Sequence, residues 1–238
     1  ITTRLVGSEM CIRDSYYTSH FKTLKQYVSI GIAGTEKHIG VTTQCLLIAQ
    51  FFNSLGMRAC YICGRDEIEN LEVDKDRIAK KSDNLLVYRG IDLYSKNSSI
   101  EAMNYGYDFY IYDLGVLSEQ NIDNFTSKDV KILVGGLKYW EMPQTIPILA
   151  RFESSSELNH IFNFCSDEIK KEWKEYYNNT YFSEYAPDPF VADVNTETYH
   201  QIFKDYIAEK SSKLVVVEKK KGIFSKFLGC LLYTSPSP

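Results

Sequence analysis

The stretch from residue 27 to residue 55 constrains the fold of this 238-residue chain most strongly. An apolar run leads into a loop that contains Gly34 and Gly40, and Thr42 and Thr43 then open a segment with helical periodicity. Strand, glycine loop and helix, in this order, are typical of a phosphate-binding loop, because the N–H groups at a helix N-terminus attract anions. The sequence therefore predicts an anion-binding loop early in the chain.

The charge of this loop is unusual for such a site. Val41 occupies the position at which a phosphate-binding loop carries its lysine. Backbone N–H groups and the helix dipole at Thr42 and Thr43 still favour an anion. The strand–loop–helix pattern therefore predicts the fold more strongly than it predicts catalysis.

Apolar runs alternate with segments of helical periodicity along the chain. Strands are predicted over 27–32, 58–63, 84–88, 107–112, 129–134 and 159–164. Helices are predicted over 42–55, parts of 66–84, 167–177 and 196–210, and a helix start within 141–151, whereas 94–104 and 181–192 show little regular pattern. Such alternation predicts an α/β fold, a mostly parallel sheet with helices on both faces. The glycine loop, residues 113–115 and Gly135-Gly136 all follow predicted strands, so we expect them on one rim of the sheet.

Composition excludes several other classes of protein. The formal net charge is -4, so no global basic character indicates nucleic-acid binding. The six cysteines are scattered and form no disulfide framework, and no apolar run is long enough to span a bilayer, which favours a cytoplasmic location. Cys60 and Cys63 have the spacing of a redox pair, but residues three apart in a strand face opposite sides, so buried free thiols are preferred.

Both ends of the chain differ in character from its middle. Residues 1–15 and 230–238 resemble translated sequencing-adapter read-through, with genuine disordered termini as the alternative. We expect neither stretch to pack on the domain, which is predicted over 16–210. A basic amphipathic tail is predicted over 211–229.

Residues 218–229 of that tail, EKKKGIFSKFLG, have the pattern of a helix that lies in an anionic bilayer surface. The residues predicted to contact the membrane are Lys219, Lys220, Lys221, Ile223, Phe224 and Phe227. A charged terminal tail with no membrane role remains the alternative. One short helix binds weakly, so membrane binding would require the avidity of a homodimer.

Taken with the segment YDFYIYDLG, which ends beyond Asp113, these motifs resemble the ParA/MinD branch of P-loop ATPases over most of residues 27–228. The loop departs from the KGGxGKTT pattern of that family. Glu36 replaces the signature lysine, Lys37 and His38 replace two glycines, and Val41 replaces the phosphate-clamping lysine.

The resemblance implies ATP and magnesium as ligands and assigns roles by position. Thr42 and Asp113 would bind the magnesium ion, Asp113 would also orient the attacking water as the catalytic residue, and Asn163 would contact the base. The implied nucleotide-binding residues are Gly34, Lys37, His38, Gly40, Thr42, Thr43 and Asn163.

Removing two lysines costs rate more than fold, because phosphoryl transfer depends on positioning and charge neutralisation. The leading interpretation is therefore a degenerate, ParA/MinD-like regulatory protein that binds nucleotide as a pseudo-ATPase and associates peripherally with the inner face of the membrane. One alternative is an active ATPase with an atypical loop, in which Lys37 serves the phosphates. The other is a protein-interaction module that binds no nucleotide.

Overall fold

The computed structural model describes residues 27–64, 78–80, 85–152, 157–176, 179–191 and 193–208. Its strands are β1 (Val28–Gly34), β2 (Ala59–Ile62), β3 (Ile78–Lys80), β4 (Leu85–Tyr88), β5 (Ile91–Tyr94), β6 (Phe109–Val116), β7 (Val130–Gly135), β8 (Leu158–Asn163) and β9 (Thr180–Ser183). Its helices are α1 (Val41–Ser54), α2 (Ser99–Met103), α3 (Ile122–Thr126), α4 (Met142–Arg151), α5 (Asp167–Tyr176) and α6 (196–208), with a 3-10 turn at Lys96–Ser98.

The strands form one sheet in the order β3-β4-β5-β2-β6-β1-β7-β8-β9. Each neighbouring pair in the series β5-β2-β6-β1-β7-β8-β9 is parallel. At one edge of the sheet, β4 pairs antiparallel with both β3 and β5. The strand β1 lies between β6 and β7, and all seven of its residues are buried. The predicted α/β fold with a mostly parallel sheet is confirmed, and the loop after β1 starts from the middle of the sheet.

Apolar clusters cover both faces of the sheet. On one face, Ile132 and Val134 pack with α1, while Leu133 between them packs on the other face with residues of α4 and α5. The helix α1 is buried almost all round because α6 covers its outer side, where Phe51 contacts Tyr199. The structure thus contains the helix predicted over 196–210, at residues 196–208.

Short edge elements differ from the sequence prediction. The segment 94–104 contains the 3-10 turn and α2, and β9 overlaps the start of the segment 181–192. The unpredicted strand β5 forms a hairpin with β4, whose turn at Arg89 and Gly90 has left-handed backbone angles. Residues 78–80, predicted as part of a helical region, form the edge strand β3, because backbone pairing with β4 outweighs local propensity. Residues 65–77 and 81–84, both termini and the tail with its six predicted membrane contacts lie outside the described residues.

The buried thiols agree with the sequence prediction. Cys60 and Cys63 are both buried, and they belong to clusters on opposite faces of the sheet. Within the described residues, no helix is long and apolar enough to cross a bilayer.

Candidate functional site

The loop after β1 joins the centre of the sheet to the N-terminus of α1. Gly34 accepts a hydrogen bond from the Leu117 N–H at 2.9 Å, and Thr35 donates to the Val134 carbonyl at 3.0 Å. The chain then turns through His38, whose φ is 63°, and Gly40, whose φ is 103°. A left-handed residue is strained unless it is glycine, which is the residue that the family pattern has at the position of His38.

The side of the loop that faces Gly34 is apolar. A Cβ added at Gly34 would lie 2.6 Å from one methyl carbon each of Ile39 and Val41, so only glycine fits beneath these side chains. Ile39 and Val41 are each 8% exposed, whereas Lys37 and His38 are exposed at the loop tip. The predicted phosphate-contacting side chains thus lie on the outer surface of the loop.

Thr42 and Asp113, the predicted magnesium ligands, lie in direct contact. The Thr42 hydroxyl donates to Asp113 Oδ2 at 2.6 Å, and the Gly115 N–H donates to Asp113 Oδ1 at 3.0 Å. The contact follows from the topology, because β1 and β6 are parallel neighbours with Ile32 opposite Asp113, and α1 starts just beyond β1. Asp113 is 7% exposed, so its charge depends on these donors.

Tyr61 is a third donor to this carboxylate, and the sequence analysis missed it. Its hydroxyl donates to Asp113 Oδ2 at 3.0 Å from a fully buried position in β2. Burial, followed by the charge of Asp113, raises the pKa of Tyr61 well above its ordinary value, so the hydroxyl stays protonated. The alternation of RACYIC could have placed Tyr61 on the face of β2 that carries Ala59, which packs against α1.

Asn163 lies beneath the loop rather than open to solvent. It is 5% exposed, donates to the Ile39 carbonyl at 2.5 Å and accepts from Gln44 Nε2 at 3.1 Å. A Cβ at Gly40 would lie 2.8 Å from its Nδ2. Nδ2 and Oδ1 of Asn163 thus each bond within the protein, and its contact with a nucleotide base stays a prediction.

Aromatic side chains follow Asn163 on the same rim. Phe164 is 54% exposed and has a left-handed φ of 55°, and its ring centroid lies 5.9 Å from that of Tyr185, which is 69% exposed. Neighbouring exposed rings provide apolar faces on which a ligand can stack. These two rings are candidate contacts that the sequence analysis did not select.

A cleft of about 270 Å³ lies at the carboxyl ends of β2 and β6. Gly64, Lys96, Asp113 and Ser118 contribute to its lining. Gly64 is required there, because a Cβ would lie 2.2 Å from the Asp113 carbonyl oxygen. The cleft therefore brings a lysine to the strand end that carries the candidate metal ligand.

The residues of the site fit a magnesium ion more completely than a triphosphate. Thr42 and Asp113 supply a hydroxyl and a carboxylate oxygen, the ligand types that magnesium prefers. No cluster of three His, Cys, Asp or Glu side chains occurs among the described residues, so the pair would share the metal with water and phosphate oxygens. The first turn of α1 has no side-chain cap in the described structure, and its N–H groups can bind an anion.

No family model matches the chain, and no curated protein matches it in sequence. Among solved structures, a candidate plasmid partition protein from Borrelia burgdorferi B31 bound to AMPPNP has a TM-score of 0.53 and 13% identity, covering 78% of this chain and 100% of that one. MinD from Pyrococcus horikoshii complexed with Mg-ADP has a TM-score of 0.47 and 14% identity over 80% of this chain and 98% of that one. A ParA family ATPase from Chlorobium tepidum has a TM-score of 0.46 and 10% identity over 74% and 91% of the two chains. The likeness to the plasmid partition protein, whose TM-score exceeds 0.5, shows that the described domain has the same fold as that protein.

Proposed function

We propose that this chain binds a magnesium nucleotide at the loop between β1 and α1 and acts as a regulatory protein with little or no ATP hydrolysis. The observation that carries the proposal is the 2.6 Å hydrogen bond between Thr42 and Asp113. It joins a helix N-terminus, which attracts phosphate, to a carboxylate that can hold a cation. Structures of the same fold solved with AMPPNP and Mg-ADP support the choice of ligand.

In this proposal, Thr42 and Asp113 hold the metal, and the N–H groups at the start of α1 bind phosphate oxygens. Bound magnesium would supply charge neutralisation at the phosphates. Lys96 in the adjacent cleft is a cation on the Asp113 side of the site. Phe164 and Tyr185 offer exposed rings on which a base can stack, in place of the engaged amide of Asn163.

Weak hydrolysis follows from the charges of the loop. Val41 places a buried methyl group where a lysine would neutralise the transferred phosphoryl group, and Glu36 adds negative charge nearby in sequence. Lys37 lies exposed at the loop tip, so it could reach phosphate only after the loop moves. Loss of charge stabilisation lowers the rate of transfer more than it lowers binding.

Thermal unfolding with EDTA, magnesium alone, Mg-ADP and Mg-ATP tests the binding proposal. A ligand at about 100 times its Kd stabilises by roughly 2.7 kcal/mol, which raises the Tm of a domain of this size by roughly 5–11 °C. Thr42→Val removes the hydroxyl with little change of shape and should abolish the magnesium-dependent part of the shift. Thr126→Val, on α3, is the matched control and should keep it. No shift of the parent protein at millimolar Mg-ATP would contradict nucleotide binding and leave the interaction-module alternative.

A phosphate-release assay separates the regulatory protein from the active ATPase. We expect a thermal shift without appreciable phosphate release. Release at a rate that Asp113→Asn abolishes would instead establish the active ATPase with an atypical loop.

Membrane recruitment and self-association form a further part of the proposal, supported by the sequence of residues 218–229 alone. Co-sedimentation with vesicles containing anionic lipid should decrease when these residues are deleted. Unchanged binding after the deletion would exclude the tail as the membrane contact, and light scattering with and without nucleotide tests the homodimer.

A further inference from the structure

A buried chain of hydrogen bonds connects the loop to α6, the last described helix. The Ile39 carbonyl accepts from Asn163 Nδ2, Asn163 Oδ1 accepts from Gln44 Nε2, and Gln44 Oε1 accepts from the Tyr199 hydroxyl at 2.8 Å. Gln44 is 2% exposed and Tyr199 is fully buried. These bonds join residues that are more than a hundred positions apart in the sequence, so they are a product of the tertiary fold.

The end of β9 completes this network and fixes the start of α6. Ser183 Oγ accepts from Gln44 Nε2 at 2.8 Å and from Asn195 Nδ2 at 2.9 Å. Asn195 also accepts from the Glu184 N–H at 2.8 Å, and its carbonyl accepts the Tyr199 N–H at 3.1 Å in the first turn of the helix. Every side chain in the network has a partner, so the network favours one arrangement of these elements.

The bond from Asn163 determines which way the peptide group between Ile39 and Gly40 faces. In a trans peptide the C=O and N–H point in opposite directions. Because the Ile39 carbonyl points inward to Asn163, the Gly40 N–H points away from the buried network. This N–H has no hydrogen-bond partner within the described part of the chain, and it directly precedes the N-terminus of α1.

We propose that Asn163 is a positioning residue for an anionic ligand and that α6 sets its position through Tyr199 and Gln44. The network holds the Gly40 N–H outward, where it joins the first-turn N–H groups of α1 in facing a phosphate. Displacement of α6 releases Gln44 and Asn163, lets the peptide turn, and weakens the site. The identity of the ligand, a nucleotide phosphate, rests on the proposed function. The coupling between α6 and the loop does not depend on it.

Tyr199→Phe tests the coupling without altering the contact of the ring with Phe51. Hydrogen exchange of the nucleotide-free protein should show the Gln44 amide, which bonds to the Gly40 carbonyl at 3.0 Å, exchanging about 10-fold faster. The Ile32 amide in β1 exchanges by global unfolding. Its exchange rate should be unchanged once the difference in the free energy of unfolding between variant and parent is taken into account. Tyr181→Phe is the matched control, since it removes a partly buried hydroxyl from β9 outside the network, and it should leave the Gln44 amide unchanged. Ser183→Ala serves if Tyr199→Phe does not fold.

The two proposals fail separately. Equal acceleration of all amides, or no acceleration at Gln44, would overturn the coupling even if nucleotide binds. If the parent protein binds no Mg-ADP, the proposed nucleotide function is wrong. The hydrogen-exchange rates of Tyr199→Phe and the parent protein would still test the coupling between α6 and the loop. If both hold, Tyr199→Phe should weaken Mg-ADP binding by about 10-fold, and bound Mg-ADP should slow exchange of the Tyr199 amide because coupling is reciprocal.

Discussion

The substitution Val41→Lys tests directly whether this loop can present a lysine to a bound phosphate. Val41 is 8% exposed and its methyl group packs over Gly34, so the valine contributes about 1.5–3 kcal/mol of burial. Lysine keeps part of this contact through its stem but must bring its ammonium group to water. We therefore expect the ligand-free variant to be less stable by about 1–2 kcal/mol, which corresponds to a fall in Tm of roughly 2–8 °C.

With Mg-ATP the same variant should gain more than the parent protein does. A hydrogen bond from an ammonium group to phosphate contributes about 1.5–3 kcal/mol, equivalent to an affinity increase of roughly 10- to 150-fold. Isothermal titration measures this gain, with Val41→Met as a control of similar length and no charge. An unchanged Tm without ligand would refute the packing of Val41 described above. An affinity no higher than that of Val41→Met would show that this loop cannot direct a lysine to the phosphates.

Three further predictions concern the buried groups around the site. Tyr61→Phe should lower stability by about 1–2 kcal/mol in denaturant unfolding at pH 7, because the Asp113 carboxylate loses a donor at 3.0 Å; an unchanged midpoint would contradict that bond. Burial raises the pKa of both Tyr61 and Tyr199 above 10. Above pH 10 the folded state therefore binds more protons than the unfolded state. The stabilisation is complete below pH 10 and should fall above it by about 1.4 kcal/mol per pH unit for each tyrosine. Unfolding at pH 9, 10 and 11 measures this slope, which Tyr61→Phe should reduce. Burial also raises the pKa of the Cys45 and Cys60 thiols well above the ordinary value, so a thiol reagent should leave both unmodified in the native protein. Peptide mapping measures the labelling, and rapid labelling would show that α1 or β2 opens.

The centre of the sheet could be predicted because its local and tertiary preferences agree. The apolar run of β1, the glycine at Gly34 and the periodicity of α1 each indicate the element that is found. The contact between Thr42 and Asp113 also follows, since residues at the carboxyl ends of neighbouring parallel strands meet on one rim. These elements are long and periodic, and their pattern exists in the sequence before any packing.

The edge strands and the supports of the loop could not be predicted in the same way. The strand β9 has four residues, and its partner β8 supplies the pairing that makes it a strand. The partners of Asn163 are at Ile39 and Gln44, more than a hundred residues away. Such contacts depend on the register and rotamers of several elements at once, for which one sequence contains no local pattern.

Some residues of the site stabilise the fold, whereas the buried Asp113 carboxylate does not. Gly34 is explained by packing alone, so it would persist in a protein that binds nothing. Asp113 is different, because burying a carboxylate costs free energy that even good hydrogen bonds only partly recover, and an apolar side chain would serve stability as well. Three donors hold this charge directly beside the N-terminus of α1, where a cation and an anion can bind together. In the proposed function a metal-bound phosphate accounts for this buried charge, and Val41 in place of a lysine lowers the rate of hydrolysis more than it lowers binding.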